Sequence, residues 1–157
     1  MIPTIKDIIA RIKTNKQKLG ITLLTAASLA EISDFETIMG VKLPDEFIQF
    51  YNFSNGLESE EDMFRIIPLN EIIENIQHPD TSTVNPNDFH FAEYLIYSDM
   101  WTININSEER NKYGIYNKAE NVITLTDSLP HFLDVFLTGG VFDGLYKWRE
   151  NLEQLPG

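Results

Sequence analysis

The spacing of the apolar residues changes along this chain, and the order of those changes sets the fold class. Over residues 4–18, Ile5, Ile8, Ile9 and Ile12 recur at helical spacing, with Lys and Arg on the other side and Gly20 as the stop. Ser28 and Glu31 form a capping box ahead of Leu29, Ile32, Phe35, Ile38 and Met39, which predicts a second helix ended by Gly40. A third follows at once in "LPDEFIQFYNFSNG" (43–56). Pro44 suits a first helical turn, and Asp45 and Glu46 suit the positive end of the helix dipole. Phe47, Ile48, Phe50 and Tyr51 build its apolar face, and Gly56 is read as a left-handed stop.

The period then shortens. "FRII" (64–67) predicts a strand, "PLNEIIENI" (68–76) a short helix, and "HPDTSTVNPND" (78–88) a loop. "AEYLIYSD" (92–99), "WTININ" (101–106), "GIYN" (114–117) and "NVITLT" (121–126) read as strands. In the second of these, Trp101, Ile103 and Ile105 face one side while Thr102, Asn104 and Asn106 face the other, the pattern of a half-buried antiparallel sheet. Asp127 or Ser128 caps a helix over 129–137, and Gly139-Gly140 breaks it. Residues 141–155 close the chain as one helix, or as two pieces parted near Gly144. Helices, then strands, then helices predict one α+β domain over 1–157, with a mixed or largely antiparallel sheet and helices packed on it.

Charge and composition narrow the function. The 10 Phe, 6 Tyr and 2 Trp supply a core, and the absence of Cys excludes disulfides and thiolate metal sites. A Cys-free chain fits a reducing cytoplasm, and a cytoplasmic location is expected. The net charge of −12 is concentrated in residues 21–109, where 17 acids face only Lys42 and Arg65. Such a surface repels nucleic acid and anionic membranes and attracts a basic protein partner. No apolar run has transmembrane length. "GITLLTAASLA" (20–30) imitates a signal peptide's apolar region, but a complete amphipathic helix precedes it and Thr22, Thr25 and Ser28 interrupt it.

Catalytic and cofactor motifs are missing. His78, His90 and His131 are scattered, with no helical pair spacing for a metal. "DFH" (88–90) places a carboxylate near an imidazole without a nucleophile motif, and "TGG" (138–140) is a helix terminator rather than a phosphate loop. "ESEEDMF" (58–64) reads as a solvated acidic loop, as a contact for a basic partner, or as oxygen ligands for calcium or magnesium, although it lacks the EF-hand rhythm. No cofactor is implied.

The stretch "FETIMGVKLPDEFIQFYNFSNG" (35–56) resembles the signature of the SMI1/KNR4 family, also called SUKH, at Glu36, Gly40, Leu43, Pro44, Phe47, Asn55 and Gly56. A Pro-Leu after a strand (64–72), a strand block (92–126) and "DSLPHFLDVFL" (127–137) follow in the family's order, so the resemblance is strongest over 26–138. Family members often carry a Gly at the turn between the first two strands of the block, where this chain has Asp99-Met100. The resemblance implies an α+β domain without enzymatic activity. Bacterial members are similar to immunity proteins that neutralise polymorphic toxins, often nucleases, and fungal members act as scaffolds.

The expected function is therefore a bacterial immunity protein binding a basic toxin domain. An interaction scaffold without a toxin is the alternative, and a hydrolase with a cryptic pocket the third reading. Partner contact is expected at Glu58, Glu60, Glu61 and Asp62, on a loop rooted by the helix stop, with the polar strand face at Asp99, Thr102 and Asn104 as a second surface. Gly40, Leu43, Pro44, Asn55 and Gly56 are expected to serve the fold.

Overall fold

The computed structural model describes residues 2–77, 88–118 and 122–154. Its frame is a seven-stranded sheet in which each strand lies beside its sequence neighbour. The strands are β1 (Ile21–Leu23), β2 (Leu57–Ser59), β3 (Phe64–Ile66), β4 (Phe89–Tyr94), β5 (Asp99–Ile105), β6 (Tyr113–Lys118) and β7 (Val122–Thr126). Every pairing is antiparallel, so the α+β expectation holds and the sheet is not mixed. The helices are α1 (Ile5–Asn15), α2 (Leu29–Met39), α3 (Asp45–Phe53), α4 (Leu69–Gln77), α5 (Leu129–Gly139), a π-helix (Gly140–Tyr146) and α6 (Lys147–Glu153). The expected loop over 78–88 lies outside the described residues except for Asp88.

One face of the sheet carries an aromatic core. Phe132 of α5 meets Phe91 at 5.3 Å and Trp101 at 6.1 Å, edge to face. Phe47 of α3 packs on Phe91 and Tyr113, Phe35 of α2 on Phe89, and Phe64 stacks on Phe136 at 4.1 Å. Phe89 and Phe91 share the core face by ordinary alternation. A β-bulge between His90 and Ala92 then shifts the phase, so that Ala92 lies opposite Trp101 on the core side and Glu93 lies opposite Arg65 on the polar face.

Several expectations are corrected. Helix α1 is shorter than 4–18: Thr4 and Asp7 form a capping box, and the helix ends at Asn15. Strands β1 and β2 were not foreseen. In α2 the Ser28–Glu31 box is present, but Leu29 and Ile38 are 68% and 57% exposed and only Ile32 and Phe35 are buried. Helix α3 begins after Pro44 and is closed by Ser54 in extended conformation (φ −153°, ψ 131°). Gly56 lies two residues beyond with φ +100° and is not its cap. The run 92–99 is not one strand: β4 ends at Tyr94, and residues 95–98 form a turn in which Leu95, Ile96 and Tyr97 are left-handed (φ 51°, 51° and 61°). The turn therefore precedes Asp99-Met100, which open β5. After Gly140 the chain runs as a π-helix into α6. Gly144 there is so close to α5 that a Cβ would lie 2.7 Å from the Val135 carbonyl oxygen.

Candidate protein-binding site

The signature residues are wired into the frame. Gly40 closes α2 in left-handed conformation (φ 69°), its N–H donating to the Glu36 carbonyl. One oxygen of the Glu36 carboxylate accepts from the Leu43 N–H and from Arg110, each at 2.7 Å. Arg110 Nε donates to the Leu43 carbonyl at 2.8 Å, so the loop after β5 clamps the α2–α3 corner. Leu43 and Pro44 are buried beneath it. Asn111 exchanges hydrogen bonds with Asp45, and Tyr113 donates to Glu46 at 2.5 Å while its oxygen accepts from the Leu129 N–H. Burial, with the Glu46 carboxylate beside it, pushes the Tyr113 hydroxyl upward. Asn55 Oδ1 accepts from the Leu69 N–H at 2.9 Å, at the first residue of α4. At Gly56 a Cβ would stand 2.4 Å from the Ile66 carbonyl oxygen, so the chain passes there only without a side chain.

The polar strand face does not present the surface expected of it. Thr102 is wholly buried, its hydroxyl 2.6 Å from His90 Nδ1. Alternation correctly turns Thr102 away from the aromatic core, but His90 and Tyr116 shield it; as placed, it has no surface to offer a partner. Asn104 is exposed and donates to Asp88, which also accepts from Tyr116. Asp99 is half-buried and accepts from Tyr146, Asn117 and its neighbour's Met100 N–H. These three residues are separated in role, one buried, one exposed and one bonded to the π-helix.

The acidic segment is a β-hairpin rather than a free loop. Glu58 lies in β2 directly opposite Arg65, and Glu58, Glu60 and Glu61 are exposed. Asp62 differs from them: it is half-buried and accepts from the Val141 N–H at 3.4 Å, at the start of the π-helix. Among the described residues, no group of three or more His, Asp or Glu side chains is arranged to hold a metal.

Beside this hairpin stands the β4–β5 turn. Leu95 N–H donates to the Met63 carbonyl at 2.9 Å and joins the two tips. Beneath them, Arg65 donates to Glu93 (2.9 Å) and bidentately to Glu71 (3.1 and 2.6 Å). The Tyr97 hydroxyl donates to Glu71 and accepts from Asn75, and its ring lies under the Arg65 guanidinium. The Arg65 hydrogen bond, seconded by Tyr97 and opposed by burial, holds the Glu71 carboxyl below its ordinary range. Met63, Leu95 and Ile96 remain exposed, Ile96 by 81%. Between the tips runs a groove of about 360 Å³ lined by Glu58, Glu60, Met63, Arg65, Glu93 and Ile96.

Sequence reasoning named the acids and missed the apolar ledge. "LIY" carried a signal, three consecutive apolar residues, but it read as strand. Among the described residues, every non-glycine with positive φ belongs to this corner: Met63, Leu95, Ile96 and Tyr97. Among them too, no helix is long and apolar enough to cross a membrane. No curated protein matches the chain. The signature corner, the antiparallel sheet and the late helix α5 all fall within or against one matched segment: residues 26–135 match the SMI1 / KNR4 family (SUKH-1), and the chain belongs to that family.

Proposed function

We propose that this protein is a non-enzymatic immunity protein of the cytoplasm that binds and neutralises a basic toxin domain, through the acidic hairpin and the apolar ledge beside it. The family is consistent with an immunity-protein-like binding domain. The observation that carries the reading is the contrast between two regions. Glu36, Gly40, Leu43 and Asn55 make their contacts inside the fold, whereas Glu58, Glu60 and Glu61 stand exposed next to exposed Met63 and Ile96. An apolar centre with a charged rim is the anatomy of a protein interface, and the chain's net charge of −12 would draw a basic partner to it. Asp62 at the hairpin and Asp99 at the start of β5 are secondary contacts in this reading, and Asn104, exposed near the far end of β5, is a separate one.

The test is to read the genes beside this protein's own and to co-express the protein with a toxin encoded there; neighbours without a toxin count against the reading. Restored growth together with a stable isolated complex supports the reading. Growth arrest despite soluble expression sinks it and leaves the scaffold reading in its place.

A further inference from the structure

We infer that the groove between the two hairpin tips seats an arginine side chain of the protein partner. This rests on the protein-binding reading and specifies what that partner must present.

The groove has two unlike walls. Met63 (48% exposed) and Ile96 (81% exposed) make one apolar, and Leu95 (39% exposed) extends it. Glu58 and Glu60 make the other acidic. The floor holds Arg65, which would repel a cation if its charge were free. It is not: Glu71 and Glu93 both pair with it, two carboxylates to one guanidinium, so the floor adds no net positive charge. A volume of about 360 Å³ has room for one long side chain. Arginine matches both walls at once. Its stem covers apolar surface while its planar head meets carboxylates with two parallel hydrogen bonds.

The occupant comes from another protein rather than from a second copy. The four arginines of this chain, Arg11, Arg65, Arg110 and Arg149, each pair with at least one of its own carboxylates. A second copy would have to break such a pair, and two chains of net charge −12 repel each other. The ledge is also preorganised. Tyr97 is held at its hydroxyl by Glu71 and Asn75, and its N–H lies 3.4 Å from Glu93 Oε1, which fixes the preceding Ile96. A wall already ordered loses little entropy when it is covered.

The experiment is an NMR titration of the isotope-labelled protein at low ionic strength, with no toxin present. The probe is a blocked Gly-Arg-Gly peptide, and its near-isostere with citrulline in place of arginine removes the charge and exchanges one donor nitrogen for an acceptor oxygen while keeping the stem. The arginine peptide is expected to give saturable shifts at the amides of 58–65 and 93–97, with citrulline binding about tenfold more weakly. The double variant Glu58→Gln/Glu60→Gln and, separately, Ile96→Ala are each expected to weaken the arginine response, with amide spectra elsewhere unchanged. Equal binding of the two peptides, shifts that do not saturate or spread over the whole acidic surface, or a response indifferent to both variants would overturn the assignment. Because no partner is used, such a failure leaves the protection experiment standing; failed protection with a saturable groove would instead discard the toxin and keep the arginine site.

Discussion

Glu36 and Arg110 meet at 2.7 Å across 74 positions of sequence, and the carboxylate oxygen they share also holds the Leu43 N–H. Glu36 is thus the pivot of the α2–α3 corner. Glu36→Ala strands the Leu43 donor and unpairs Arg110, and is expected to cost about 2–3 kcal/mol by urea denaturation. Glu36→Gln keeps one acceptor and should lose about half of that. Equal midpoints for all three proteins would mean that the clamp contributes nothing.

Two glycines allow a sharper comparison. Gly40 and Gly56 both have positive φ, but a Cβ at Gly40 meets nothing within 4 Å, whereas at Gly56 it meets the Ile66 carbonyl oxygen at 2.4 Å. Gly40→Ala is expected to cost only the left-handed strain, about 1–2 kcal/mol. Gly56→Ala adds a collision with backbone and should cost clearly more, or leave the protein insoluble. Thermal melts of the two variants, run together, decide the order.

The helices and the central strands were legible because their periodicity is local. Ile5, Ile8 and Ile12 are all buried on α1, and Trp101 and Ile103 are buried on β5, as spacing predicts. Strands β1 and β2 are three residues each, too short to alternate visibly, and exist through their mutual pairing. Leu95, Ile96 and Tyr97 look like strand residues and form a turn because Tyr97 is bound to Glu71 and Asn75, contacts no local pattern encodes. The acids of the candidate site were visible in sequence; Thr102 misled because alternation states which face a residue takes, not what covers that face.

Neutralising Glu58, Glu60 and Glu61 together to Gln is expected to slow partner association several-fold at low salt, with the difference shrinking as salt rises. Stability should move by less than about 0.5 kcal/mol, since all three are exposed. Asp62→Asn should behave differently, losing about 1 kcal/mol at the π-helix start where it accepts from Val141. Stopped-flow association across a salt series, with urea curves for each variant, separates the two effects.

Glu71 gives a pH signature. Its folded pKa lies below the unfolded value of about 4.3, so its stabilising contribution is complete above that pH and is lost as pH falls through the lower folded value. Glu71→Gln should therefore be less stable than wild type at neutral pH, and the two urea midpoints should converge below about pH 4. A gap that stays constant with pH would show that the carboxylate charge is not what Arg65 and Tyr97 hold.

Ile96 is a β-branched residue at φ +51° and 81% exposed. Ile96→Gly relieves the strain and buries nothing less, so after the greater freedom of Gly in the unfolded chain it should stabilise by about 0.5–1 kcal/mol. The same change removes the ledge and should weaken partner binding. A calorimetric melt and a binding isotherm on this one variant test both statements; a lower melting temperature or unchanged affinity would contradict them.

The strand order β1 to β7, each beside its successor, also bears on how the molecule is made. Neighbouring strands such as β4 and β5 need only a short turn closed, which keeps the entropic cost of their meeting low. The expensive closures are the long ones: β1 to β2, with α2 and α3 between them, the clamp from Glu36 to Arg110, and the packing of α5 on α1 and β3, where Arg11 reaches Asp134 across 123 positions and Phe64 stacks on Phe136. The carboxyl-proximal hairpins can therefore zip first and offer a template, onto which the amino-terminal helices and the short strands dock last. Substitutions in β5 and β6 should then slow folding, and those at the clamp should mainly hasten unfolding.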